Sequence, residues 1–88
     1  MTAPTAAAVV RRAVMCLWAA TIFERSQTAG IENARDENRA RWVVLVTEAH
    51  DLAERASREA EMGYVDSARS LADVGRRLLD EARQVRTT

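Results

Sequence analysis

The single histidine of this 88-residue chain, His50, stands four residues before Glu54 and beside Asp51. Residues four apart share one face of a helix, so His50 and Glu54 form the chain's one local acid–base pair or two-ligand arrangement. A zinc site needs a third protein ligand, and there is no second histidine to supply it. The Glu-x-x-His spacing of di-iron bundles is absent as well, because Glu48 precedes His50 by two positions. The expectation is a surface histidine with a helical charge neighbour, no metal and no cofactor.

Cys16 sits among Met15, Leu17 and Trp18. A nucleophilic thiol needs a base or a positive microenvironment, and Arg12 is the one candidate nearby in sequence. The expectation is a buried structural thiol. One cysteine excludes an intrachain disulfide framework and a cysteine-rich metal site, and fits a reducing cytoplasm. A lipoprotein reading fails because Met15 stands where a small residue should precede the cysteine. There is no Gly-rich phosphate loop and no Ser/His/Asp set, so no catalytic residue is assigned and the chain is read as a non-enzyme.

Charge offers a third chemistry. All thirteen basic residues are Arg, balanced by thirteen acidic ones. Zero net charge, with both signs interleaved, leaves no electrostatic footprint for nucleic acid or anionic lipid. Two arginine pairs stand out. Arg76-Arg77 is flanked by Asp73, Asp80 and Glu81, whereas Arg11-Arg12 has no acidic neighbour until Glu24. Arg11 and Arg12 are therefore the expected contacts to a partner, solvated or bridging subunits, ahead of a nucleic-acid role.

These residues must be carried by helices. A composition of 48% hydrophobic and 30% charged residues suits an ordered helical domain and argues against disorder. Helix one is expected over about 5–28, started by the hydroxyls of Thr2 and Thr5 around Pro4 and stopped by a left-handed Gly30. Val10, Val14, Leu17 and Thr21 make its stripe, widened by Met15, Trp18 and Ile22. Helix two is expected over about 33–62, capped by Asn33, with pairs Glu37–Arg41, Asp51–Arg55 and Glu54–Arg58 on its outer face. Helix three is expected over about 65–85, followed by a frayed tail. No uninterrupted apolar run reaches membrane-spanning length, since Ala13 to Phe23 is bounded by Arg11 and Arg12. That segment has a charged region and an apolar core like a signal peptide, but the charge comes late and no small-x-small site follows Phe23.

In helix two, Trp42, Leu45, Ala49, Leu52, Ala56 and Ala60 line one face, and in helix three Ala68, Leu71, Gly75, Leu78, Ala82 and Val85 do the same. The short turn between them makes the two helices antiparallel neighbours. The expected register sets Ala60 opposite Ala68, Ala56 opposite Ala72 and Ala53 opposite Gly75, tight at the bend and wider towards Trp42. The turn Gly63-Tyr64-Val65-Asp66-Ser67-Ala68 resembles the one inside a tetratricopeptide-type helical hairpin. The resemblance covers about twenty residues without the 34-residue repeat, and implies the hairpin alone. A similar turn occurs in helical nuclease-type domains, whose Arg-x4–6-His signature is missing here.

The expected fold is all-α: a single domain over 1–88, a three-helix bundle with helix one packed on a long antiparallel hairpin. Trp42-Val43-Val44-Leu45-Val46 is apolar in every direction around its helix, and two neighbours cannot cover it all. A second copy is the simplest cover. The expected function is a non-enzymatic protein–protein interaction module that self-associates as a homodimer. It would act as a small adaptor, assembly factor or phage-type inhibitor on a protein partner, with no membrane role. The expected interface is Trp18, Ile22, Trp42, Val43 and Val46, with Arg11 and Arg12 as charged contacts. The alternative is a small nucleic-acid-binding protein using its arginine pairs.

Overall fold

The computed structural model describes residues 3–88. Three helices follow one another: α1 (Ala6–Arg25), α2 (Asp36–Glu61) and α3 (Val65–Thr87), with a short 3-10 turn, Gln27–Gly30, after α1. The long α2–α3 hairpin carries α1 along its length, which makes the chain a three-helix bundle.

The helix ends follow from local chemistry. The Thr5 hydroxyl accepts the Ala8 amide at 3.1 Å and so satisfies one of the free donors that open α1. Thr2, the other hydroxyl expected there, lies outside the described residues. At the other end the chain does not stop at a left-handed Gly30. The Ser26 hydroxyl donates to the Phe23 carbonyl at 2.6 Å, and the backbone tightens into the 3-10 turn, whose i→i+3 bonds use the last carbonyls. Among the described residues only Gly63 has a positive φ, 84°, and it ends α2 in the left-handed conformation. The first turn of α2 carries Asp36 and Glu37, which suit the positive end of the helix dipole, but its cap is Arg35 rather than the expected Asn33.

The far end of α3 departs from expectation too. The helix continues to Thr87 instead of fraying after Val85, because Arg86 is tied to Glu24 of α1. None of the three surface pairs expected on α2 forms, and Asp51 and Arg55 make no ion pair among the described residues. Arg41 reaches across to Glu81 on α3, and Glu54 pairs with His50.

Near the bend the core is built from small side chains. Ala49, Ala53, Ala56 and Ala68 are fully enclosed, and Ala60, Ala72 and Gly75 are buried beside them. Gly75 permits the approach of α1: a Cβ there would lie 2.8 Å from Leu17 Cδ2. Val10, Val14, Leu17 and Leu79 complete this part of the core. Away from the bend the filling becomes bulky, with Ile31, Trp42, Leu45, Val46 and Ala82 in one cluster. Each large side chain enclosed there contributes about 1.5–3 kcal/mol.

By length and composition, α1 is apolar enough to cross a membrane, because Arg11 and Arg12 alone interrupt it before its final turn. No uninterrupted apolar run within it reaches that length, because Arg11 and Arg12 break it. Here α1 lies against the hairpin and buries two polar side chains, Thr21 and Glu24, in its inner stripe.

Candidate functional site

Two rows of side chains flank a groove between α1 and α2. Arg11, Met15, Trp18, Ile22 and Arg25 recur in steps of four and three on α1, as do Val43, Thr47, His50, Glu54, Ser57 and Glu61 on α2. The α2 row spans about 27 Å at the helical rise per residue. Three successive depressions follow the groove. The first, about 150 Å³, is lined by Arg11, Met15 and Glu61 among others. The second, about 390 Å³, lies between Met15, Trp18, Glu54, Ser57 and Arg58 over a Val14 floor. The third, about 160 Å³, lies between Arg25, Val43 and Thr47.

The surface beside this groove is strongly apolar. Met15 is 70% exposed, Phe23 62% and Trp18 44%, and Ile22, Val43 and Val44 are about half open. Three of the five residues expected at an interface therefore lie on this open face: Trp18, Ile22 and Val43. The other two do not. Trp42 is 4% exposed and Val46 is buried with it, both in the chain's own core. The turns of α2 divide the five-residue knot, so that Trp42, Leu45 and Val46 point inward while Val43 and Val44 point out. Met15, Phe23 and Val44 were not among the residues expected at the interface, although Met15 continues the visible Trp18–Ile22 row.

Trp42 is held inward by a polar contact that its sequence context does not announce. Its indole Nε1–H donates to Glu24 Oε2 at 2.9 Å. Glu24 is 0% exposed and also receives Arg86, with Nε at 2.5 Å from Oε2 and an NH2 group at 3.2 Å from Oε1. Arg83 Nε stands 3.7 Å away. Burial pushes the Glu24 carboxyl up, but hydrogen bonds from Arg86 and Trp42, with the charges of Arg86 and Arg83, outweigh it and hold it below the ordinary carboxylate range. The same bond to Glu24 raises the Arg86 guanidinium against its own desolvation. Among the described residues no buried side-chain nitrogen or oxygen lacks a hydrogen-bond partner.

His50 is less exposed than expected of a surface histidine: 14% of its side chain is open. Nδ1 lies 3.0 Å from Thr21 Oγ1 on α1, and Nε2 lies 3.1 Å from Glu54 Oε1. The Trp18 ring stacks on the imidazole, with centroids 6.1 Å apart and planes at 27°. The Thr21 hydroxyl is not poised as a nucleophile, since it is wholly enclosed and donates to the Trp18 carbonyl at 2.6 Å. Among the described residues there is no group of three His, Cys, Asp or Glu able to hold a metal.

Cys16 is exposed rather than buried. It lies at the opposite edge of α1, beside Ala13, Ala72, Asp73 and Arg76, where small neighbours leave it uncovered. Arg11 and Arg12 are exposed and make no ion pair among the described residues, whereas Arg76 is bound to Asp80 at 3.4 Å. Comparison with protein-family models, curated proteins and solved structures returned no match, so the reading of this face rests on its own geometry.

Proposed function

We propose that the chain works by binding rather than catalysis, as a cytoplasmic interaction module that pairs with a second copy of itself through the α1–α2 face. The observation that carries this reading is the open row Met15, Trp18 and Ile22, with Phe23 on the same helix and Val43 and Val44 on α2. Met15, Trp18, Ile22 and Val43, each about half uncovered or more, amount to a patch on the order of 400 Å², a size that marks interaction sites on soluble proteins. Specific interfaces of standard size bury about 800 Å² per partner, so the patch with its polar rim suits the core of such an interface. A two-fold arrangement would use the same patch on both copies.

The dimer would leave Arg11 and Arg12 at the margin to meet an acidic surface on a different protein. The role would then be occlusion or bridging, as in small adaptors, assembly factors and phage-type inhibitors. Sedimentation of Trp18→Glu tests the pairing. The variant should keep wild-type helicity, because Trp18 lies outside the core, and should sediment as a monomer. An intact dimer in that variant would sink the proposed face.

A further inference from the structure

We propose that His50 is a proton-dependent support for the Trp18 face, so that protonation of its imidazole strengthens the self-association read above. The proposal rests on that reading for the dimer, but the support itself lies within one chain. Hydrogen counting carries it. Four groups form a line: the Trp18 carbonyl, the Thr21 hydroxyl, the His50 ring and the Glu54 carboxylate, with successive separations of 2.6, 3.0 and 3.1 Å. Thr21 has one proton to give, and both ends of the line are acceptors.

With a proton on each ring nitrogen, all three bonds form. Nδ1–H donates to Thr21, Thr21 donates to the Trp18 carbonyl, and Nε2–H donates to Glu54. With one ring proton, only two can form. Either Thr21 turns to the ring and leaves the Trp18 carbonyl, or the Nε2 lone pair faces the Glu54 carboxylate. The Thr21–His50 bond joins α1 to α2 in every state, but only the charged imidazole keeps it together with both flanking bonds. An imidazolium stacked on the Trp18 indole adds cation–π attraction between the two helices.

The charges around the ring point the same way. On α2, Glu54 is its sole ion-pair partner among the described residues, and Arg58 shares the depression beyond Glu54. On α1, Arg25 lines the next depression along the groove. No charge of α3 pairs with the ring. A neutral His50 leaves Glu54 as a carboxylate to be desolvated when the groove is covered, whereas the imidazolium balances it. His50 is the chain's only histidine, so no second imidazole confounds a readout of its protonation. Glu24, held below the ordinary carboxylate range, stays ionised between pH 5.5 and 8.

The test pairs two readouts on the full chain between pH 5.5 and 8. The first is Trp18 emission at concentrations where the chain is monomeric, with Trp18→Phe subtracting Trp42. The second is the dimer dissociation constant by sedimentation. Emission should fall towards pH 5.5, because a stacked imidazolium quenches indole, and association should tighten on the order of tenfold, the equivalent of one hydrogen bond. His50→Gln, checked for helicity, should flatten both profiles, whereas Thr21→Val should keep the emission change and weaken the pH dependence of association. Flat wild-type emission, or a profile unchanged in His50→Gln, overturns the support. If no dimer forms at any pH, the self-association reading fails while a titrating Trp18 emission still sustains the support. A dimer of unchanging affinity overturns the coupling between them.

Discussion

Glu24 and Arg86 lie 62 residues apart in sequence and meet at 2.5 Å, with the Trp42 indole completing the carboxylate's shell from α2. One side chain thus ties all three helices at the end of the bundle away from the bend. The small-residue seam holds the other end, where alanines bring α2 and α3 together. The bundle is fastened by chemistry at one end and by close approach at the other.

Glu24→Gln should destabilise the fold by about 1–3 kcal/mol, since the amide keeps one acceptor but loses the charge and adds donors facing Arg86 and Trp42. Thermal melts should show a fall on the order of 10 °C in a domain this small. An unchanged midpoint would mean that the buried carboxylate contributes nothing to stability.

The pH dependence of stability follows from the same group. The folded-state pKa of Glu24 is depressed, so its stabilisation is fully present above the unfolded value, about 4.3, and is lost as pH falls through the folded one. Denaturant titrations should show the gap between wild type and Glu24→Gln steady from pH 7 to about 5 and narrowing below pH 4. A gap that widens on acidification would contradict the assignment.

At the tight end, Gly75→Ala should destabilise by about 1–3 kcal/mol, because the new methyl would lie 2.8 Å from Leu17 Cδ2. The clash is with the far end of a side chain, so Leu17→Ala in the same chain should be less harmful than the two single changes added together. Strict additivity in that cycle would mean that α1 does not press on Gly75.

The two tryptophans should respond in opposite ways. Trp42→Glu places a second carboxylate beside Glu24 in the core and should unfold the chain, as judged by circular dichroism. Trp18→Glu sits on the open face and should leave the helices intact. A folded, soluble Trp42→Glu variant would show that the buried placement of Trp42 is mistaken.

The repeating positions of α2 and α3 made the hairpin legible in the sequence, and Gly63 fixed its bend. The alanine seam was legible for the same reason: steps of three and four put Ala56, Ala60, Ala68 and Gly75 on facing stripes. Glu24 was not legible. A charged residue at the end of an apolar helix normally points to water, and its partners Trp42 and Arg86 are distant in the chain, so only the packed structure reveals that they converge. His50 escaped for a similar reason, since its second partner, Thr21, comes from another helix. The knot at Trp42 to Val46 announced that it needed cover, but not which of its residues the chain would cover itself.

The most direct measurement is the molar mass of the wild-type chain in solution by light scattering, from nanomolar to about 100 μM. Self-association through the Met15–Trp18–Ile22 face predicts a rise from the 9.8 kDa of one chain to twice that mass, reversible on dilution. A mass fixed at that of one chain across the whole range would contradict it, and would leave the open face around Trp18 to a different protein.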